Sequence, residues 1–271
     1  MPPIKGKTVK QGLIAVAFLA AGFYFIPWLL LFYMACGLAD ILRHEKRDWY
    51  LWQRYFSGNG FTTWLMSPLN LFIDLVCYRN PKIFALSDFS DEARREIESV
   101  LGAFDANRDA IIDRINRNLG DAKRGMFLFR WFGHRYNDSI EALNAPFRHV
   151  RTIAVSVFNG QERTNFHFGP MRMTIRVLYN LTPVRDKDVF IETGHTRHYW
   201  ADDPLFIFDD TLMHRSINDD DGRRFCVFLD VMRPSPFPGL LRAMMAPVSL
   251  VAGAFKSIYY RRWKMLGTGA A

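Results

Sequence analysis

Cysteine is scarce in this chain of 271 residues: Cys36, Cys77 and Cys226 stand far apart and form no CxxC pair. That excludes a disulfide framework and a thiolate metal cluster, and leaves three thiols to be read as small buried apolar groups. Acidic charge is also in deficit, with 27 Asp and Glu against 35 Lys and Arg. The basic excess forms no long run, so a nucleic-acid partner is set aside in favour of an anionic membrane surface. Charge is missing altogether from Leu13 to Ala39. A helix over 13–39 would exceed the roughly 30 Å hydrocarbon core of a bilayer. The segment has no small-residue cleavage site of the kind a signal peptide carries. The expectation is an uncleaved N-terminal membrane helix, kinked at Pro27 or folded back there as a re-entrant hairpin. The balanced basic flanks, Lys5, Lys7 and Lys10 against Arg43, Lys46, Arg47 and Arg54, do not set an orientation. Internal repeats and low-complexity tracts are absent.

What is present is aromatic and apolar: 24 Phe, 10 Tyr and 7 Trp. Four regions are expected. Residues 1–85 form a membrane anchor and interfacial segment, in which 60–77 is largely apolar, carries Asp74 as its one charge and is broken by Pro68. Trp49, Trp52, Tyr55 and Trp64 suit headgroup depth. Residues 86–147 form a helical support region. Ile97, Val100, Leu101 and Phe104 fall at helical spacing there, then Ile111, Ile112, Ile115 and Leu119. The run from Asp105 to Asn116 imitates an EF-hand loop but carries Ala110 and Asn116 where that loop needs glycine and a bidentate acid, so calcium is not expected. Residues 148–234 change to short β-branched and aromatic runs, at 152–158, 172–179, 189–193, 205–208 and 224–231, separated by turn residues. No helix alternates with them, which argues against a parallel α/β sheet. The fold class is α+β, mainly β, with an antiparallel barrel or double-sheet jelly roll as its core. In the tail, 235–271, the stretch 240–260 is apolar but interrupted by Pro247 and Gly253, and suits the membrane surface better than a crossing.

Two histidines stand out. His167 opens His167-Phe168-Gly169-Pro170, with Arg176 nine residues on; His214 closes Phe208-Asp209-Asp210-Thr211-Leu212-Met213-His214, with Arg224 ten residues on. Each half pairs a candidate metal ligand with a guanidinium suited to a carboxylate. Iron(II) in oxygenases takes imidazoles and usually one carboxylate on one face, leaving positions for substrate and oxygen. His195 and His198, in a turn with Arg197, read instead as rim residues.

Over 153–234 the chain resembles the aspartyl/asparaginyl β-hydroxylase family of 2-oxoglutarate-dependent oxygenases. The likeness rests on His-x-Gly-Pro at 167–170, Ile175-Arg176, the Phe208-Asp209-Asp210 to His214 box, Arg224, and Asp230-Val231-Met232-Arg233-Pro234. The layout, with Arg54-Tyr55-Phe56 and Tyr78-Arg79-Asn80 ahead of the catalytic part, is similar to the membrane lipid-hydroxylase branch, which acts on lipid A acyl chains or ornithine lipids. The resemblance implies a double-stranded β-helix in which His167 and His214 bind Fe(II). Arg224 and Ser156 would hold the distal carboxylate of 2-oxoglutarate, Arg176 the metal-proximal end, and O2 would be the oxidant. Asp209 and Asp210 would shape the surroundings of the metal without ligating it. Gly169 stands where many oxygenases place a carboxylate ligand, and Leu178 where the family often has histidine. The expectation is a lipid hydroxylase on the bacterial inner membrane, its catalytic domain on the cytoplasmic side where Fe(II) and 2-oxoglutarate are available. Hydroxylation of a protein Asp or Asn, and an inactive membrane-bound scaffold, are the competing readings.

Overall fold

A computed structural model describes the chain at Tyr24, from 26 to 259 and from 263 to 266, the side chains of 253–259 excepted. Its β-rich body is built from two sheets. The major sheet holds β1 (Ile83–Phe84), β2 (Arg124–Trp131), β4 (Val150–Phe158), β6 (Thr174–Asn180), β9 (Leu205–Phe208), β11 (Arg224–Met232) and β12 (Lys264–Leu266), with β3 (His134–Arg135) on β2. The minor sheet orders β5 (Glu162–Arg163), β10 (His214–Asn218), β7 (Val189–Thr193) and β8 (Thr196–Tyr199) as β5-β10-β7-β8. From β4 to β11 the chain changes sheet at every connection except β7 to β8. The major sheet takes the order β9-β6-β11-β4 there, and the whole is a double-stranded β-helix of antiparallel pairs.

Strand alternation explains why one chain can line both a core and a site. On β11, Phe225, Val227, Leu229 and Val231 face the helical side, whereas Arg224, Cys226, Phe228 and Asp230 face the minor sheet. All nine residues of β11 are buried, because helices cover the first face and the minor sheet the second. The covering helices are α5 (Asp91–Ala106) and α6 (Arg108–Leu119). Ser90 caps α5 by accepting from the Ala93 amide, and Asp91 and Glu92 sit in its first turn. Ile97, Val100 and Phe104 are wholly buried against the sheet. Such burial contributes roughly 1.5–3 kcal/mol per side chain.

The span 86–147, expected to be helical support, also supplies β2, which lies between β4 and β12 in the major sheet. Its run Met126–Trp131 is buried on both faces, so it lacks the alternation that marks a half-buried strand. β12, from the C-terminal tail, pairs with β2 in parallel.

The N-terminal region departs further from expectation. Most of 13–26 lies outside the described residues. The rest of the charge-free stretch lies in α1 (Pro27–Ile41), a helix of 15 residues. At about 1.5 Å per residue it is shorter than a bilayer core. Among the described residues no helix is long and apolar enough to cross a membrane, so the expected membrane-spanning helix is not found there. Pro27 stands in the first turn of α1. The proline ring disfavours helical backbone at the residue before it, and Ile26 has φ −141° and ψ 58°. α1 is followed by α2 (Trp49–Phe56), α3 (Phe61–Leu65) and α4 (Ser67–Val76), and the tail forms α7 (Pro238–Tyr259). Leu241 and Met245 of α7 pack on Ile73 of α4.

Apolar exposure is segregated in the same way. Among the described residues every exposed large apolar side chain lies between Tyr24 and Tyr78 or between Phe237 and Val251. The β body between them has none.

Candidate active site

The segment between β5 and β6 runs extended beside the start of β10, and His167 and His214 exchange backbone hydrogen bonds of 2.9 Å in both directions. Their rings are brought to 4.2 Å between centroids. Each Nδ1 lies 2.8 Å from the carbonyl oxygen two residues earlier, Asn165 and Leu212 respectively. A carbonyl can only accept, so Nδ1 carries the proton and each Nε2 keeps its lone pair. Burial pushes His167 down to about 4 and His214 further, the second helped by its proximity to the first. Both rings are therefore neutral at neutral pH, the form in which imidazole ligates a metal.

The donor set fits iron taking two imidazoles with the remaining positions open. No third His, Cys, Asp or Glu completes a cluster among the described residues. The reason lies at Gly169. A Cβ there would fall 2.3 Å from Asp210 Cγ and 2.4 Å from each carboxylate oxygen. Glycine is required by this close approach, so the position cannot carry a ligand while Asp210 holds its place.

Asp210 is held by Arg176, whose Nη2 donates at 2.6 Å. Arg176 Nε donates to Asp230 at 2.9 Å, and its guanidinium carbon lies 3.7 Å from the centre of the Phe228 ring. Burial, only partly opposed by Arg176, raises the Asp210 carboxyl to about 7. The structure thus brings Arg176 close to the loop of His167 but commits it to two carboxylates. Leu178, two residues along β6 on the same face, is buried against the apolar wall that includes Phe206, Cys226 and Phe228.

Arg224 is placed differently. It is 3% exposed and, among the described residues, has no carboxylate within ion-pair distance. Nη2 donates to Ser216 at 2.8 Å, while Nε and Nη1 are buried with no acceptor among the described residues. The rings of Phe158 and Trp200 lie 4.8 and 5.2 Å from its guanidinium carbon. Ser156 lies on the same face, two residues along β4 from Phe158, the cross-strand partner of Arg224. Its hydroxyl donates to the Cys226 carbonyl at 3.2 Å. A buried cation with two orphaned donors is a receptor for an anion, and a carboxylate matches its fork. With the histidines facing into the same inter-sheet space, the residues fit both a metal and a dicarboxylate co-substrate.

Asp209, five residues before His214, serves the loop. Burial would raise its carboxyl, but Arg43 and Arg172 outweigh that and hold it well below the usual range. It accepts from Arg43, from Asn80 Nδ2 at 2.6 Å and from the amide and hydroxyl of Thr211. His195 is exposed, and His198 stacks on Phe206 at 4.5 Å at the rim.

Sequence reasoning missed the residues that hold the two ligand loops from outside the β body. Thr63 donates to the Gly169 carbonyl at 2.9 Å and Asn70 to that of Pro170 at 3.0 Å, while the Arg172 amide donates back to Asn70 at 2.9 Å. Arg172, wholly buried, pairs with Asp40 of α1 and Asp74 of α4, and Arg233 also pairs with Asp74. A signal was available: Thr63, Ser67, Asn70 and Asp74 recur at steps of four, three and four within an apolar segment. That is a polar stripe on one helical side. Here the stripe faces the protein, whereas Phe61, Leu65, Phe72 and Leu75 are exposed. The segment is amphipathic in the inverted sense.

Comparison with known proteins bears on this region. A search of curated proteins finds no match. Among solved structures, a cupin domain from Bordetella pertussis is similar at 16% identity, covering 31% of this chain and 81% of that one, with a TM-score of 0.24. An oxidoreductase of the 2OG-Fe(II) oxygenase family from Burkholderia pseudomallei is similar at 13% identity, covering 32% of this chain and 44% of that one, with a TM-score of 0.26. The sequence model of the aspartyl/asparaginyl beta-hydroxylase family matches residues 133–234, less than half of the chain. Those residues contain His167, His214, Arg176, Arg224 and Ser156, and the match supports a hydroxylase.

Proposed function

We propose that this chain is an iron(II)- and 2-oxoglutarate-dependent hydroxylase of a membrane lipid, acting on an acyl chain of a lipid A or ornithine type of lipid. The observation that carries the reading is the pairing of two neutral, Nδ1-anchored histidines with Arg224, a buried cation that has no counterion among the described residues. Iron with 2-oxoglutarate and O2 would supply the oxidising power to hydroxylate a C–H bond, giving succinate and carbon dioxide. The chain's own residues bind and exclude. His167 and His214 would hold the metal through Nε2. Arg224, aided by the Ser216 and Ser156 hydroxyls, would hold the distal carboxylate. The apolar wall of Leu178, Phe206 and Phe228 keeps water from the reacting centre. Arg176 already serves Asp210 and Asp230, so its part in the proximal carboxylate requires sharing that charge.

The lipid substrate is supported by the apolar exposure of α1, α3, α4 and α7 beside a β body that exposes none. These helices would rest in one leaflet of the inner membrane and bring the site to an acyl chain on the cytoplasmic side. Hydroxylation of an Asp or Asn in a protein is the competing reading, favoured by the name of the matching family and by Gly169. Mass spectrometry of lipid extracts decides between them, comparing cells carrying the wild-type chain with cells carrying His214→Ala. A gain of one oxygen on one lipid class, lost in the variant, is expected. Succinate formation by the purified protein with Asp- or Asn-containing peptides, and none with lipid vesicles, would overturn the lipid assignment. Succinate with neither would leave an inactive scaffold.

A further inference from the structure

Phe166, the residue before His167, is gripped by two guanidiniums that the proposed reaction does not use. Arg54 of α2 donates to its carbonyl, and the guanidinium carbon of Arg215 lies 4.5 Å from its ring centre. The Tyr50 ring meets Phe166 edge-on at 6.1 Å, and Arg54 lies 6.0 Å from the Tyr50 ring.

The charges of this cluster do not cancel. Arg54 has no acidic partner within ion-pair distance among the described residues; its other contact is Asn59 Oδ1 at 3.4 Å, and its Nε is buried with no acceptor. Arg215 donates to Glu192, but Arg197 claims the same carboxylate. Two guanidiniums thus share one acid, and Arg54 adds a third cation without one among the described residues. A group that served only to tie the Phe166 carbonyl would need no charge, and leaving a partly buried cation unpaired is costly.

The surroundings of the cluster are apolar and open. Trp49 and Tyr50, on the same helix as Arg54, are 81% and 44% exposed. Phe61 and Leu65 of the neighbouring α3 are exposed as well. Arg54 beside the exposed Tyr50 ring, on a helix that also exposes Trp49, makes a surface that is cationic at one point and greasy beside it. That is the complement of a molecule with an anionic head and an alkyl body.

We propose that Arg54 and Arg215, on either side of Phe166, bind the phosphate of an anionic lipid head group. The apolar part of the lipid lies along the exposed side of α2 and α3, one residue away from the His167 ligand. This selects anionic over neutral lipid as the substrate class. It rests on the lipid reading above and narrows it.

The test is vesicle binding by the full chain, followed by co-sedimentation. One set of vesicles is phosphatidylcholine alone and the other is phosphatidylcholine doped with phosphatidylglycerol. The variants are R54Q/R215Q, the charge-keeping R54K, and a control pair R117Q/R185Q that removes two exposed charges from the β body and α6. Each variant's melting temperature is measured alongside, so that loss of fold is not mistaken for loss of binding. R54Q/R215Q should bind doped vesicles on the order of tenfold more weakly. The control pair and R54K should change binding by no more than about twofold, and no variant should alter binding to pure phosphatidylcholine. Equal losses in R54Q/R215Q and the control pair would overturn the site in favour of a diffuse field. Displacement from doped vesicles by inorganic phosphate, at an ionic strength matched with chloride, would overturn the lipid head group in favour of free phosphate. Either failure leaves the lipid oxidation test untouched, whereas a wild-type chain that binds neither vesicle would sink the lipid reading itself.

Discussion

Replacing Arg224 by methionine should stabilise the protein without ligands while abolishing its response to 2-oxoglutarate. Arg224 is 3% exposed, two of its nitrogens have no acceptor, and the one hydrogen bond it makes is to a neutral hydroxyl. Burial pulls its pKa down, the mark of a cation held against its solvation. Desolvating such a charge costs several kcal/mol. The Phe158 and Trp200 rings return about 0.5–2 kcal/mol each. Methionine keeps the apolar stem and removes the charge, for a net gain of about 1–3 kcal/mol after a small cavity cost. For a domain of this size that is a rise of roughly 3–10 °C in melting temperature. In the wild type, 2-oxoglutarate at a hundredfold excess over Kd adds about 2.7 kcal/mol, and in R224M it should add nothing. Differential scanning fluorimetry of both proteins, with and without 2-oxoglutarate and with a redox-inert divalent metal in place of iron, measures all four quantities. If R224M melts below the wild type without ligand, or still gains from 2-oxoglutarate, the argument that this cation awaits a carboxylate is wrong.

Gly169→Ala should cost about 1–3 kcal/mol by overpacking, because its Cβ falls on the Asp210 carboxylate; denaturant titration that finds it neutral would show that Asp210 moves freely. His44→Phe tests a pH effect whose sign follows from burial. His44 is 5% exposed, and burial followed by the Arg43 charge lowers it to about 4. Its unfolded value is near 6.5, so as pH falls the unfolded chain takes up the proton first. The stability from a neutral His44 is complete above about pH 6.5 and is lost progressively towards about pH 4, a loss of up to about 3 kcal/mol. H44F should flatten the metal-free protein's stability profile by that amount between about pH 7 and about pH 4; unchanged slopes in urea titrations would count against the burial argument.

Much of the β body was legible because its strands carry local signals. The runs at 189–193 and 205–208 coincide with β7 and β9, and those at 152–158, 172–179 and 224–231 overlap β4, β6 and β11. β2 was hidden by being apolar on both faces, and β8 and β10 by being short and polar, with burial patterns set by neighbours the sequence does not show. The two helical spacings in 86–147 appear as α5 and α6, whose buried residues include Ile97, Phe104, Ile111 and Ile115.

The sequence by itself determined which residue types and spacings were available: two histidines 47 positions apart, each followed by an arginine, and apolar segments at both ends. It could not tell the two arginines apart. That was decided by register, which sets Arg176 opposite Asp230 and near Asp210, and Arg224 opposite Phe158. Both start as the same guanidinium, and only the cross-strand neighbour decides whether its charge is answered inside the protein or left for a ligand. The same holds for the segment 60–77. Composition made it apolar, but only its packing on the His167 loop turned its polar stripe inward and its apolar residues out, because the loop's carbonyls at Gly169 and Pro170 needed donors.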